Sequence, residues 1–368
     1  MIKNLLLFVS ILLTATSVSG QVKFKLRGRI FIDGGVYINA PDTLSHTAGM
    51  PDIRLGGIFT LPHDWSAKVD VRFSKNEVSV KDVFIQKKYN EHIFRLGHMF
   101  GSYSLDQTAS TNDYVFMTGS YAAESFYLGR RLGLSYNYAA QRYFAAAGIF
   151  VGDKLYSPDA IPGINGTLRF VYRPILKENT ILHIGTGAMF RTPDKDKKTG
   201  YTSTQLGGKA NTYLTAPRAL NLAFNETNSQ WQWNTEVLGL MKRWLIQAEY
   251  LLTHINSRDK GKYTGNGAYI EGGYLIRGKM LEYDYADALS YCTSAPHSLL
   301  LSARFDHINL NSHEIRGGKL YDLTVALNYY LNKYLIFRLN YSHQWTDEYS
   351  QLGKTNWGLF QARAQFKF

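Results

Sequence analysis

The residues best placed to do chemistry near the start of the chain are cations set at every second position. In VKFKLRGRIF, residues 22–31, Lys23, Lys25, Arg27 and Arg29 alternate with Val22, Phe24, Leu26, Gly28 and Ile30. On an extended strand successive side chains point to opposite faces, so four positive charges share one face and apolar groups the other. At about 3.3 Å per residue the charged row spans roughly 20 Å. Such a row holds and attracts anions, and the formal net charge of +12 is in keeping with it. Nucleic acid is excluded as the partner, because the basic residues alternate with apolar ones instead of clustering on one surface.

Other chemistries find less support. Of the ten histidines, His92, His98 and His183 lie in strand-like segments without a serine or carboxylate at a spacing that would make a catalytic group. His307 and His313 flank a loop without placeable metal partners, so no metal site is assigned. No phosphate-cradling glycine loop occurs, and no cofactor is called for. The single cysteine, Cys292, has no partner for an intramolecular disulfide or a zinc site and reads as a structural thiol.

The elements that must position the charges are strands. Charged residues make up only 19% of the chain, while 32 Gly and 26 Tyr point to β structure with tight turns and aromatic anchors. Residues 1–20 read as a secretory signal peptide: Lys3, then an apolar run from Leu5 to Leu13, then Ser19 and Gly20. The apolar run is shorter than the roughly 20 residues that span a bilayer as a helix. Residues 21–368 then form one exported domain.

Within that domain, period-two segments are joined alternately by short and long connections. The short ones are LPHD (61–64), YNEH (89–92), YAAQ (138–141), LMKR (240–243) and YLNKY (330–334); the long ones are 100–128, 152–164, 191–229, 254–264 and 346–354. This asymmetry predicts an all-β, transmembrane antiparallel β-barrel, with turns at the periplasmic rim and loops outside. Seventeen candidate strands are visible. An even number is required, and absorbing the Gly- and Asn-rich stretch 207–224 into one outer loop, 191–229, leaves about 16, enough for an aqueous channel. The conformation of 278–296, on the periplasmic side, is not legible from pattern. Tyr89, Tyr138, Tyr143, Tyr172, Trp244, Tyr330 and Tyr334 are expected as an aromatic belt at the lipid boundary.

In a barrel, Lys or Arg facing lipid at mid-depth costs roughly 2–4 kcal/mol, so the charged face turns inward. Parity then places Arg54, Lys68, Arg72, Arg95, Arg131, Arg169, Arg173, Arg304, Arg338, Arg363 and Lys367 in the lumen with the first four cations. The inward acids are fewer: Asp33, Asp70, Glu236, Glu249, Glu271, Asp306 and Asp322.

The chain resembles the phosphate-selective porin O and P family. The likeness is carried by LRGRIFIDGG (26–35), RLGGIFTLPHDWSAKVDVRFSKNEVSVKDVFIQ (54–86), RLGHMF (95–100), FMTGS (116–120), GRRLGLSYNY (129–138), YIEGGYLIRGK (269–279), LTVALNYYLNKYLIFRLNYSH (323–343) and the closing QARAQFKF. It implies a sixteen-stranded barrel, a homotrimer, and a third outer loop folded into the lumen as a constriction. It also implies a C-terminal aromatic, Phe368, read by the outer-membrane assembly machinery. The constriction loop would carry Asp106, Asp113, Tyr114, Ser120 and Glu124, and Arg130 and Arg131 stand at its end. Between Met99 and Gly129 there is no Lys or Arg, and Pro51 and Asp52 stand where phosphate-specific members tend to have arginines. Asp82 matches an acidic position of the family.

The reading is therefore an outer-membrane, non-enzymatic porin, passing small anionic or neutral solutes by passive diffusion with an anion preference. The alternatives are a channel specific for phosphate or another small anion, and, further off, an outer-membrane hydrolase.

Overall fold

The computed structural model describes residues 22–368 apart from 75, 76, 154, 215, 216, 280 and 292–294. The expected signal segment 1–20 and Cys292 lie outside the described residues. Sixteen long strands follow in order: β1 Lys23–Ile38, β2 Ile53–Leu61, β3 Trp65–Ser74, β4 Glu77–Tyr89, β5 His92–Met99, β6 Arg131–Ala139, β7 Tyr143–Val151 and β8 Ile164–Lys177. The second half is β9 Thr180–Arg191, β10 Thr227–Met241, β11 Trp244–Ser257, β12 Gly261–Arg277, β13 Ser298–Asn309, β14 Lys319–Tyr330, β15 Leu335–Thr346 and β16 Asn356–Lys367. Each pairs antiparallel with the next, and β16 returns to β1 from Arg29↔Lys367 to Ile38↔Gly358. Closure leaves no free edge, which is what permits a sheet to sit in hydrocarbon.

Alternation decides the two faces. On β1, Arg29, Phe31, Asp33 and Tyr37 are buried while Ile32, Val36 and Ile38 are exposed. On β8, Leu168 and Phe170 are exposed against buried Arg169, Val171 and Arg173. The exposed row is thus the lipid face and the other row the interior. The two-residue turn between β4 and β5 places Asn90 at φ 50, a left-handed conformation that asparagine tolerates better than most residues. At the other rim most connections are longer, among them 39–52, 100–130, 152–163, 192–226 and 347–355.

Two expectations change. The stretch 254–264 is not a long loop: β11 and β12 run on to Ser257 and Gly261, with the alternation of Asn256, Lys262 and Thr264 facing out above the rim. Tyr330 does not join the belt. It is 1% exposed, because it shares parity with inward Asp322, Thr324 and Asn328, and its neighbour Tyr329 takes the outward place. Tyr89, Tyr138, Tyr143, Tyr172, Trp244 and Tyr334 are exposed as expected.

The interior is not an empty tube. Inward apolar residues of β9–β15, including Leu238, Leu245, Leu300 and Ile336, pack with Leu105, Val115 and Phe116 of loop 100–130 and with Leu281 and Leu289 of the 278–297 connection. Nearer the long-loop rim, Leu206, Leu220, Leu222 and Phe224 of loop 192–226 pack with Tyr121, Ala122, Phe126 and wall residues Leu251, Tyr263 and Leu320.

Candidate functional site

Loop 100–130 runs along the inner wall. It contains two short helices, α1 Leu105–Thr108 and α2 Tyr121–Ser125, each capped by a serine side chain, Ser104 and Ser120. Inward groups of β11–β16 receive it. Glu249 accepts from the Leu105 and Asp106 amides (3.1 and 3.2 Å), and Asp306 from the Tyr121 amide (2.8 Å). Arg304 donates to the Thr118 carbonyl (3.2 Å), Asn328 to that of Val115 (2.7 Å), and Arg338 to those of Asn112, Tyr114 and Phe116. Two glycines make the approach possible: a Cβ on Gly187 would overlap the Tyr103 carbonyl, and one on Gly267 would lie 2.8 Å from the Ala122 Cβ.

The loop's own carboxylates serve its conformation. Asp106 is buried and accepts from the Ser120 amide at 2.6 Å; burial pushes its carboxyl above the ordinary range. Its carbonyl accepts from the Tyr114 hydroxyl (2.9 Å). Glu124 accepts from Tyr213 of loop 192–226 (2.8 Å), and Asp113 lies 3.5 Å from Lys367. Asn211 of loop 192–226 reaches Asp322, Thr324 and Ser342 on the wall at 2.8–3.1 Å.

A third segment enters from the short-turn rim. The 278–297 connection forms a small hairpin, Glu282–Asp284 against Leu289–Tyr291, and wall arginines hold it. Arg95 and Asn137 donate to the Asp287 carboxylate (2.8 and 3.1 Å), Arg169 to the carbonyls of Asp287 and Ala288, and Arg173 to the Tyr283 hydroxyl (2.9 Å). Burial alone would raise the Asp287 carboxyl, but Arg95 outweighs it and holds it below the usual range. His183 sits between Glu236 (2.9 Å) and the Tyr283 hydroxyl (3.0 Å), sealed under this hairpin. Sequence spacing alone had brought no carboxylate to His183; the structure does, as part of an anchor that also includes Arg169 on Glu236 (2.8 Å).

The inward cations therefore divide. Arg169, Arg173, Arg304, Arg338 and Arg363 face inward as parity requires, but they are corrected from open lining to buried anchors; Arg363 makes a two-bond pair with Asp33 at 2.7 Å. Lys23, Lys25 and Arg27 stand exposed at the short-turn end of β1, and Arg29 is buried against Asp52. The row of four is thus a rim group plus one paired rung.

The part of the wall left partly accessible is β2–β5. There Arg54 meets Asp52 (3.0 Å) and Asp70 (3.5 Å), and Lys68 (2.6 Å) and Arg130 (2.5 Å) share Asp82. A bulge sets Lys81 and Asp82 of β4 together opposite Asp70 of β3. Lys81 broke the alternation and so escaped sequence reading. The Arg72 Nε is buried without a hydrogen-bond partner among the described residues. Along this track Arg54, Lys68, Arg72, Lys81, Arg95 and Arg130 outnumber Asp52, Asp70, Asp82 and Asp287. Asp52, Asp153 and Asp287 were also missed, since they come from loops and the hairpin, where parity says nothing. Arg131 (2.5 Å) and Arg191 (2.9 Å) share Asp153 at the long-loop end. At the other end the Phe368 amide donates to the Gly28 carbonyl (3.1 Å), tying the terminus to β1.

Comparison with known proteins agrees with this architecture. An anion-selective porin from Comamonas acidovorans superposes with a TM-score of 0.62 at 10% identity, covering 95% of this chain and all of the other. The trimer form of OmpT, an outer membrane protein of Vibrio cholerae, gives 0.61 at 12% identity, again over 95% of this chain and all of OmpT. At such identity the likeness is one of fold. An uncharacterised Caulobacter vibrioides protein is 27% identical over 345 residues, 88% of this chain and 69% of that protein. The model of the family described as phosphate-selective porin O and P matches residues 24–368, nearly the whole chain. The chain belongs to that family, and it is a bacterial outer-membrane channel for small solutes.

Proposed function

We propose that the channel passes small anions in preference to cations, by passive diffusion along the β2–β5 wall, and that it does so as a homotrimer without enzymatic activity. The observation that carries this is the excess of cations over carboxylates among the partly accessible groups of that wall. A low-dielectric wall focuses the surplus field into the passage, raising the local concentration of anions and opposing cations. Loop 100–130 and the 278–297 hairpin pack against inward residues of β9–β15, so diffusing ions pass close to the charged side. The anion selectivity of the Comamonas porin and the trimeric form of OmpT support the reading by analogy.

Phosphate specificity draws less support. Loop 100–130 brings no Lys or Arg of its own up to Gly129, and Arg54 is already committed to Asp52 and Asp70. The test is conductance of the purified protein in planar bilayers with chloride, phosphate and small organic acids compared. Anion-selective reversal potentials with all three salts are expected. Phosphate blocking the chloride current at low concentration would favour the specific channel.

A further inference from the structure

Two adjoining cavities flank Arg131 where loop 100–130 rejoins the wall at the outer rim. The outer one, of about 180 Å3, lies between the 126–128 arm, Asp153 and the 204–206 segment. The inner one, of about 20 Å3, has room for a single oxygen atom and its protons. Arg131 and Leu128 line both.

The polar inventory of this place is rich in donors. Arg131 Nε and Nη2 and Arg191 Nη1 all converge on one oxygen of Asp153, whose other oxygen accepts from the Asp194 amide (3.2 Å). The Asp194 carboxylate is turned away, onto the amides of Asp153 and Gly163 (3.0 and 2.9 Å). Arg191 Nε and Nη2 also donate to Gln230 (2.7 Å) and Thr204 (3.0 Å), so these acceptors are spent while the two guanidinium groups, chiefly that of Arg131, keep N–H bonds to spare. Around the inner cavity, Gln107 Nε2, Asn165 Nδ2 and Thr167 Oγ1 are buried without a hydrogen-bond partner among the described residues, in residues 7%, 3% and 5% exposed. Orphaned buried donors cost free energy and call for an acceptor. Phe126, Leu128 and Leu206 give the outer cavity an apolar portion of wall beside the polar Thr204, Gln205 and Gln230.

We propose that this is a saturable subsite for a small monocarboxylate with a compact apolar body, such as an aromatic or branched-chain acid. The carboxylate lies on the free N–H groups of Arg131 and Arg191, and the apolar body lies against Leu128 and Leu206. The cavity is below the roughly 300–1,000 Å3 of drug-sized pockets, which limits the solute to one ring or its equivalent. Inorganic phosphate satisfies the guanidinium groups but leaves the apolar wall uncovered; acetate does the same with less contact. The inference rests on the anion-channel reading and adds a solute class to it.

The test uses the full-length mature protein in planar bilayers, with benzoate, acetate or inorganic phosphate added at the outer side during chloride conduction. Saturable block by benzoate is expected, at a half-blocking concentration at least tenfold below those of acetate and phosphate. Arg191→Gln, and separately Leu128→Asn on the half-buried arm, should each raise the benzoate value about tenfold. A benzoate response that rises linearly, a phosphate value equal to that of benzoate, or no shift in either variant would overturn the proposal. Reversal potentials in potassium chloride keep the two claims apart: anion preference without saturable block refutes the subsite alone, whereas saturable block in a channel that prefers cations refutes the channel reading.

Discussion

Arg72 offers the cleanest way to weigh the wall charge. It sits on β3 facing inward, and among the described residues it forms no ion pair, so Arg72→Gln removes a unit charge without leaving a carboxylate unpaired. A unit charge at about 7 Å from a passing ion, in a water-like dielectric of about 80, contributes roughly 0.6 kcal/mol. That corresponds to a factor of about 2.7 in local concentration, in opposite senses for anion and cation, so the anion-to-cation permeability ratio should fall roughly sevenfold. At about 0.01 M salt the Debye length of roughly 30 Å leaves this nearly intact, and at 1 M, with about 3 Å, most of it disappears. The assay is the reversal potential across a tenfold gradient of potassium chloride, run at both mean ionic strengths. A ratio unchanged by the substitution at low salt would refute the claim that ions pass along β2–β5. An equal change at high and low salt would point to altered pore shape instead of charge.

Three further outcomes follow from the interior contacts. Arg338→Met removes charged donors from the Asn112, Tyr114 and Phe116 carbonyls, each such bond being worth roughly 1.5–3 kcal/mol, so loop 100–130 should loosen and single-channel records should show larger, noisier openings. Asp287→Asn weakens the hold of Arg95 and Asn137 on the 278–297 hairpin and removes a carboxylate from the track; conductance and anion preference, both read in bilayers, should rise together. The two kinds of buried carboxyl predict opposite pH responses. The Asp106 carboxyl is raised, so its contribution is present below the ordinary carboxylate range near 4 and is lost as pH rises through its higher folded value; the carboxyls of Asp153 and Asp287 are lowered, so theirs is present above that range and is lost only as pH falls through their lower values. Hydrogen exchange between mildly acid and alkaline pH should therefore show protection of the segment around residue 106 falling with pH, while that around 287 holds.

The barrel was legible because period-two alternation is imposed residue by residue by lipid on one side and polar surroundings on the other. That constraint located the short turns and the inward parity of residues as far apart as Arg29 and Arg363, while the count of sixteen came from requiring an even number of strands among seventeen candidates. The reading failed at Tyr330, which was assigned to the belt against its own parity, at the bulge beside Lys81, where parity shifts, and in the polar hairpin around Ser257 and Gly261, whose composition imitates a loop. The contents of the barrel were not legible. Loop 100–130, loop 192–226 and the 278–297 hairpin are fixed by contacts between residues far apart in sequence, such as Arg338 with Tyr114 and Arg169 with Ala288. The charge balance was misjudged for the same reason: Asp52, Asp153 and Asp287 come from segments without alternation, and a one-residue bulge brings in Lys81.

The account depends most on ions passing along the β2–β5 wall while the β13–β15 side is filled. Cysteine substitution with the native Cys292 replaced by serine tests this directly, using a negatively charged, thiol-specific reagent during conductance recording. Ser66→Cys and Lys81→Cys, on β3 and β4, should react and lower the chloride current; Ser302→Cys and Ser342→Cys, buried on β13 and β15, should not. Reaction at 302 and 342 with none at 66 and 81 would contradict the account.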